Sequence, residues 1–169
     1  MTPYFGGINL SEKITRLISR LLTQHKFKNM KRTAKAFWQG DLKMGHGTLS
    51  TQSQVLDQTQ YSFNTRFADG IGTNPEELLA ASHAGCFTMS IAYALSQQKF
   101  TPGGLNTTAT VSLDMASSSI SLIELELSAT AIDGLSSEEF QEIAIQAKNN
   151  CLISKALSGV QIELTVNYQ

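Results

Sequence analysis

A helical stretch over residues 74–98, apolar on nearly every side, constrains this fold more than any other feature of the sequence. Its start is strongly marked, because Asn74 can cap the helix, Pro75 suits the first helical position and Glu77 completes an Asn-x-x-Glu capping box. Beyond Glu77 the stretch contains no Lys, Arg, Asp or Glu, but its apolar run is interrupted by His83, Ser82, Thr88 and Ser90. The pattern therefore predicts a buried helix of a globular protein rather than a membrane span.

Segments of alternating hydrophobicity flank this helix and predict the rest of the fold. Three strands are expected before it and three after it, with a second helix that begins near Ser136. The expected strands are residues 33–39, 47–56, 61–67, 106–114, 123–131 and 160–168. The order β-β-β-α-β-β-α-β contains antiparallel meanders and no βαβ repeat, which predicts an α+β fold of antiparallel sheets packed around buried helices. Because one sheet covers only one face of a helix, we expect a homodimer to cover the other.

Charge divides the chain into two parts. Residues 1–32 contain seven Lys and Arg against a single acid, whereas residues 33–169 contain six basic and thirteen acidic residues. We therefore expect residues 1–30 to be a basic N-terminal extension and residues 31–169 to be one domain. The whole chain contains 41% hydrophobic residues, which is typical of a globular protein. An acidic domain has little to attract nucleic acid.

The extension itself predicts an amphipathic helix, because Ile14, Leu17, Ile18, Leu21 and Leu22 follow helical spacing behind a capping Ser11. Such a helix could pack on the domain or on a partner subunit, or it could lie upstream of an alternative start at Met30. A targeting or membrane-surface helix is a further possibility. No secretory signal is visible, so the expected location is the cytoplasm, and membrane association of the domain is not expected.

Two cysteines, Cys86 and Cys151, are the only thiols of the chain, and they do not form a Cys-x-x-Cys pair. Zinc sites usually show closely spaced ligand pairs, which are absent. A thiol on a helix and a second thiol brought to it by the fold suit a two-cysteine redox cycle. Considered alone, however, Cys86 on an apolar helix is more commonly a small buried hydrophobic residue. In a reducing compartment, a disulfide between the two would be transient and catalytic.

Two charged or ionisable residues could assist Cys86. Arg66 precedes the apolar helix, whose first turn carries Glu76, and an arginine there could pair with a carboxylate and a thiolate, although an Arg–Glu surface pair is the commoner outcome. His83 lies one helical turn before Cys86, so a Cys–His hydrolase is conceivable. A hydrogen-bonded structural histidine is favoured, because residues on consecutive turns rarely reach the geometry a base requires. The scattered histidines do not suggest a metal site.

Two segments resemble the signature of the OsmC/Ohr family, the osmotically inducible protein C and organic hydroperoxide resistance proteins. They are Phe63-Asn-Thr-Arg-Phe67 and Gly72-Thr-Asn-Pro-Glu-Glu-Leu-Leu-Ala-Ala-Ser-His-Ala-Gly-Cys-Phe-Thr-Met-Ser90. The similarity continues through Trp38-Gln-Gly-Asp41, Gly47-Thr-Leu-Ser-Thr51 and the step to Cys151. It covers roughly residues 31–169 and is closer to the OsmC branch.

The resemblance implies a cysteine-based peroxidase that reduces organic hydroperoxides, and hydrogen peroxide more weakly, in oxidative or osmotic stress defence. It implies an intertwined homodimer, an external dithiol reductant such as a lipoyl protein, and no metal, flavin, haem or other cofactor. Residue by residue, Cys86 corresponds to the peroxidatic cysteine, Cys151 to the resolving one, Arg66 to the arginine beside the thiolate and Glu76 to the carboxylate that orients it. Leu152 departs from the family pattern, which usually has proline after the second cysteine. The competing interpretation is a non-catalytic OsmC-fold protein that binds a small ligand or acts as a structural dimer.

Helix geometry places a condition on this arrangement. Ten residues of straight helix separate Glu76 from Cys86 by about 15 Å, whereas an arginine side chain is about 7 Å long. Arg66 therefore cannot contact both residues of one unbroken helix. Either the helix breaks at Ser82–Gly85, where glycine tolerates unusual backbone angles and serine can cap a new start, or the partner subunit supplies Arg66 or Glu76.

Overall fold

The computed structural model describes residues 30–169, which form six strands and four helices. The strands are β1 (Ala34–Gln39), β2 (His46–Thr51), β3 (Thr59–Ser62), β4 (Leu105–Asp114), β5 (Ser119–Ala129) and β6 (Gln161–Tyr168). The helices are α1 (Phe63–Phe67), α2 (Pro75–Gln97), α3 (Ser137–Asn150) and α4 (Leu152–Ala156). The predicted α+β class and the order of the six strands and two main helices are confirmed. The expected amphipathic helix around residues 14–22 lies outside the described residues.

The short helix α1 replaces the end of the expected third strand. Ser62 and Thr65 cap each other there: the Thr65 N–H donates to Ser62 Oγ at 3.2 Å, and the Ser62 N–H donates to Thr65 Oγ1 at 2.8 Å. This capping box begins a helix at Phe63, so the strand prediction over residues 63–67 is wrong.

The strands form two separate three-stranded sheets. The first has the order β1-β2-β3 and is antiparallel throughout. In the second, of order β4-β5-β6, β4 and β5 are antiparallel, but β6 runs parallel to β5. The parallel pairing differs from the antiparallel arrangement expected from the sequence. It follows from the connection, because α3 and α4 carry the chain back across the sheet before β6 begins.

The apolar core lies between α2, α3 and the second sheet. Phe87, Ile91 and Leu95 project from one face of α2 and are fully buried, together with Leu125 and Phe140. Among residues 30–169, every buried apolar side chain belongs to Phe87 or to a residue after it. The first sheet therefore contributes no side chain to the apolar core. This sheet therefore lacks a core of its own within one chain.

The opposite face of α2 remains uncovered in the described chain. Met89 is 75% exposed and Tyr93 is 67% exposed. The length and composition of α2 alone would let it cross a membrane, but its other face packs on the sheet as the central helix of a globular core does. The exposed apolar side is the surface for which the sequence predicted a second cover.

Candidate active site

The two cysteines meet where α2 passes the junction of α3 and α4. Cys86 lies in the middle of α2 and is half-buried, whereas Cys151 ends α3, precedes α4 and is fully buried. Their Sγ atoms are 3.1 Å apart and both thiols are free. A disulfide bond is about 2.0 Å long, so the two sulfur atoms are in contact and unbonded. The structure therefore brings together two predicted site residues that are 65 positions apart in the sequence.

The two thiols differ in acidity within one chain. Burial raises the pKa of Cys86, and the backbone N–H groups of Ile153 and Leu152 only partly oppose it. Burial also opposes ionisation of Cys151, but the Ser154 backbone N–H, the Cys86 thiol and the Ser154 hydroxyl outweigh it and lower the pKa of Cys151. In the described part of the chain, no lysine or arginine acts on Cys86. A reactive thiolate at Cys86 therefore needs a positive charge that residues 30–169 of the same chain do not provide.

Arg66 and Glu76 form the second cluster. Arg66 Nη2 donates to Glu76 Oε1 at 2.6 Å, and Arg66 Nε lies 3.1 Å and 3.2 Å from the two carboxylate oxygens. Phe67 lies under the guanidinium, whose carbon is 5.2 Å from the ring centre. The arginine also borders a cavity of about 290 Å³ that is lined by the aromatic rings of Trp38 and Tyr61. A charged guanidinium is thus held beside an aromatic surface. The Arg66 side chain is 40% exposed, so an anion can still approach it.

The predicted helix break at Ser82–Gly85 is wrong. Helix α2 is continuous from Pro75 to Gln97, and it spans both Glu76 and Cys86. Gly85 does not adopt a positive φ, and a side chain added there would meet open space, so nothing forces the backbone out of the helix. An intact ladder of backbone hydrogen bonds is then the favoured state. Glu76 and Cys86 therefore lie about 15 Å apart along the axis, and Arg66 cannot reach Cys86 while it pairs with Glu76 in the same chain.

His83 is a buried, hydrogen-bonded residue that does not contact Cys86 as a base. Its side chain is fully buried, and Nε2 lies 2.8 Å from Ser154 Oγ on α4. Burial lowers the pKa of His83, which keeps the imidazole neutral. The structure thus gives no support to a Cys–His hydrolase, whose base would have to bond to the thiol. Within residues 30–169, no cluster of His, Cys, Asp and Glu could hold a metal ion.

An apolar groove leads to the half-buried Cys86. It has a volume of about 690 Å³ and lies between α2 and the junction of α3 and α4. Met89 and Tyr93 line one side, and Leu152 and Ile153 line the other. Leu152, which stands where the family pattern has proline, is 74% exposed at the first position of α4. Its side chain therefore adds apolar surface at the entrance.

Comparison with known proteins agrees with this fold. The family model described as "OsmC-like protein" matches residues 68–165. The chain is 44% identical over 135 residues to "Peroxiredoxin OsmC" of Escherichia coli K12, covering 79% of this chain and 92% of the relative. The chain belongs to the OsmC-like family.

More distant relatives of this OsmC-like chain carry related names. An "Organic hydroperoxide resistance protein-like" protein of Staphylococcus aureus USA300 is 36% identical over 102 residues, covering 59% of this chain and 73% of that protein. The crystal structure of an organic hydroperoxide resistance protein OsmC from Legionella pneumophila has a TM-score of 0.62 and 29% identity. It covers 83% of this chain and 98% of its own. These similarities confirm the OsmC-like fold.

Sequence reasoning missed two parts of the candidate site. Ser154, which contacts His83, follows Cys151 by three residues, and that spacing on one helical turn was an available signal. The aromatic surround of Arg66 was the other, since Trp38 and Tyr61 come from two different strands. Their ring centres are 5.4 Å apart, a contact created by the pairing of β1 with β2 and β2 with β3.

Proposed function

We propose that this chain reduces organic hydroperoxides to alcohols through a Cys86 sulfenic acid and a Cys86–Cys151 disulfide. The Cys86 thiolate attacks one peroxide oxygen, the O–O bond breaks, and the alkoxide leaves as an alcohol after it takes a proton. Cys151 then attacks the sulfenic sulfur, which forms the disulfide and releases water. An external dithiol restores both thiols by exchange.

The coarser part of this function is thiol-dependent peroxidase activity with a role in peroxide-related redox chemistry. It is supported by family membership, by 44% identity to a protein named peroxiredoxin over most of the chain, and by relatives named for organic hydroperoxide resistance. Reduction of hydroperoxides in oxidative or osmotic stress is the specific form that we propose.

The contact between the two sulfur atoms is the observation that carries the mechanism. At 3.1 Å, Cys151 Sγ lies where it can attack Cys86 as soon as Cys86 is oxidised. Two relic cysteines of a ligand-binding or structural protein would have no reason to meet across 65 residues of sequence. The apolar groove at Cys86 favours hydroperoxides with apolar tails over hydrogen peroxide.

We further propose that the active form is a homodimer in which Arg66 of the partner subunit activates Cys86. Three features support this: the first sheet lacks a core, one face of α2 is uncovered, and Arg66 is held away from Cys86 of its own chain. A guanidinium that arrives from the partner would lower the pKa of Cys86, which burial alone raises. Glu76 would orient that guanidinium through the ion pair already present.

The remaining partners stay predictions. The predicted reductant is an external dithiol, and the family resemblance points to a lipoyl protein. The predicted location is the cytoplasm. No nucleic acid partner is expected, because residues 33–169 are acidic.

Mild treatment with a stoichiometric organic hydroperoxide should convert the dithiol into a Cys86–Cys151 disulfide. The expected result is a loss of two mass units in the intact chain, and a peptide map that links the segments around the two cysteines. The Cys151→Ser variant should instead stop at a Cys86 sulfenic acid or its further oxidation products. Intact thiols at both positions after hydroperoxide has been consumed would refute the two-cysteine mechanism.

Deletion of residues 1–29 should leave peroxidase activity and the domain fold unchanged, since we propose that they are an appendage to residues 31–169. Steady-state hydroperoxide consumption and size-exclusion chromatography of a chain beginning at Met30 test this. If the shortened chain loses turnover or its oligomeric state, the N-terminal segment belongs to the core architecture.

A further inference from the structure

A buried histidine that the proposed chemistry leaves unused lies behind the resolving cysteine. His83 is fully buried, and its Nε2 lies 2.8 Å from Ser154 Oγ. Its other nitrogen, Nδ1, has no hydrogen-bond partner among residues 30–169. Leaving a buried polar atom unpaired costs free energy, so an apolar residue would fill this place at lower cost. The Nε2 contact must provide something that compensates.

Ser154 connects this histidine to Cys151. Ser154 lies three positions after Cys151, on the same turn; Ser154 is 8% exposed, and Cys151 is fully buried. The Ser154 hydroxyl, together with its backbone N–H, lowers the pKa of Cys151 against the effect of burial. A hydroxyl that stabilises a thiolate donates its single proton to sulfur, so its oxygen is left to accept from His83.

Those donor and acceptor roles determine the tautomer of His83. Nε2 must carry the proton to donate to Ser154 Oγ, and Nδ1 is then the unprotonated nitrogen without a partner. Burial keeps the ring neutral, which is consistent with a single ring proton. This hydrogen bond joins α2 to the turn of α4 that follows Cys151.

We propose that His83 and Ser154 are positioning residues for the resolving step: their hydrogen bond ties α4 to α2 beside the contact of the two cysteines, and Ser154 donates to the sulfur of Cys151 once that thiol has ionised. This inference rests on the proposed peroxidase function. This set of contacts from His83 through Ser154 to Cys151, called the relay below, holds α4 against α2 and so keeps Cys151 Sγ in contact with Cys86 Sγ. It favours the thiolate form of Cys151, which is the form that attacks. It also supplies the local restraint that Leu152 does not, because leucine leaves φ free where a proline would fix it.

The step balances without an added reagent. Cys151 gives its proton to solvent when it ionises, and the thiolate attacks the sulfenic sulfur of Cys86. The S–S bond forms, the S–O bond breaks, and the departing hydroxide takes a proton from solvent through the groove to become water. Cys86 sulfur is reduced and Cys151 sulfur is oxidised by the same electron pair.

Other ionisable groups near this turn are few. Cys86 faces Cys151 from α2, beside His83. Lys148 from α3 borders the outer side of Ser154, but its Nζ donates to the Ile162 carbonyl, and Lys155 on α4 is exposed. Cys151 itself is part of the buried apolar core among residues 30–169. Titration of Cys151 therefore reports mainly on the relay and on Cys86.

The pKa of Cys151 can be measured alone, because Cys86→Ser protein contains a single thiol. Thiolate absorbance near 240 nm is followed against pH in this background. Adding Ser154→Ala should move the midpoint upward by about one unit, because a donor to the charged form is lost. Ser154→Thr keeps the hydroxyl and should leave the midpoint near the parent value.

The resolving step is followed in protein that keeps both cysteines. After one equivalent of hydroperoxide, Ser154→Ala and His83→Leu should form the disulfide about tenfold more slowly, so that the Cys86 sulfenic acid persists, and with excess hydroperoxide Cys86 sulfinic acid should accumulate. The first oxidation of Cys86 should keep its rate. His83→Gln, whose amide can donate to Ser154, and Ser154→Thr should restore disulfide formation. Thr88→Val is the matched control, since it removes another α2 side-chain hydrogen bond, to Thr107, without touching the relay.

Two outcomes would overturn the proposal: an unchanged midpoint and disulfide rate in folded Ser154→Ala protein, or equal impairment in Ser154→Ala and Ser154→Thr. The second result would mean that only packing matters. If His83→Leu does not fold, the comparison of Ser154→Ala with Ser154→Thr still tests the proposal. Failure of the peroxidase function itself would appear separately, as wild-type protein that does not consume hydroperoxide, and the Cys151 titration would remain interpretable.

Discussion

Replacement of Cys86 by serine is expected to lower the rate of hydroperoxide reduction by a thousandfold or more, on the order of the losses seen when an enzyme loses its nucleophile. The serine hydroxyl cannot replace the thiolate, because it stays protonated near neutral pH and is a poor nucleophile toward peroxide. The measurement is consumption of an organic hydroperoxide in the presence of excess dithiol. Cys151→Ser should behave differently: it should react once at the wild-type rate and then slow as Cys86 over-oxidises.

Both variants should keep the wild-type fold, since serine differs little in size from cysteine. Circular dichroism and thermal unfolding of the reduced proteins provide the control. A Cys86→Ser protein that retains more than a few per cent of wild-type activity would contradict the assignment of Cys86. A Cys151→Ser protein that turns over indefinitely at the wild-type rate would show that resolution does not need the second cysteine.

A mixed dimer provides the second large effect. Arg66→Ala and Cys86→Ser homodimers should each be nearly inactive, because each lacks one component of both sites. A heterodimer of the two contains one subunit with Cys86 and one with Arg66. If the partner's arginine serves each cysteine, one complete site forms, and activity per heterodimer should return to about half that of the wild-type dimer, as expected for two independent sites.

Differently tagged chains, co-expressed and purified through both tags, allow this measurement. A heterodimer as inactive as its parents would place Arg66 in the same subunit as the cysteine it serves, and it would refute the crossed site. A heterodimer of Cys86→Ser with Cys151→Ser is an informative control, because both cysteines lie in contact within one chain and no mixed assembly should restore resolution.

Local signals predicted the central helix accurately. Asn74 caps α2 as expected, with the Glu77 N–H donating to Asn74 Oδ1 at 2.8 Å. The last residue of α2 is Gln97, one residue before the expected end. The alternation of β4, β5 and β6 was equally clear, because each strand has one face on the core. Such elements are predictable because the residues that determine them are neighbours in the sequence.

Two of the failures have a different cause, whereas the capping box of α1, between Ser62 and Thr65, was a local signal. The helix break was inferred from the requirement that one subunit hold Arg66, Glu76 and Cys86 together. Helix α2 is unbroken, and no break is needed if two subunits share the site, as proposed above. The contact of His83 with Ser154 joins residues 71 positions apart: the spacing from Cys151 indicates that Ser154 lies near the cysteine, but not that His83 meets it there. Contacts created by tertiary structure or by assembly are absent from the periodicity of a single chain.

In the proposed cycle, the unequal exposure of the two sulfur atoms determines which of them the reductant can reach. Cys151 is sealed in the core, so an incoming reductant can attack the disulfide only at Cys86. Peroxide and reductant then approach the same sulfur through the same opening, and neither can bind while the other occupies it. Kinetics of the ping-pong type follow, with the two co-substrates competing for one entrance. Under the proposed function, a surge of peroxide would both consume the reduced protein and obstruct its regeneration, and the supply of the reductant would set the amount of peroxide that is removed.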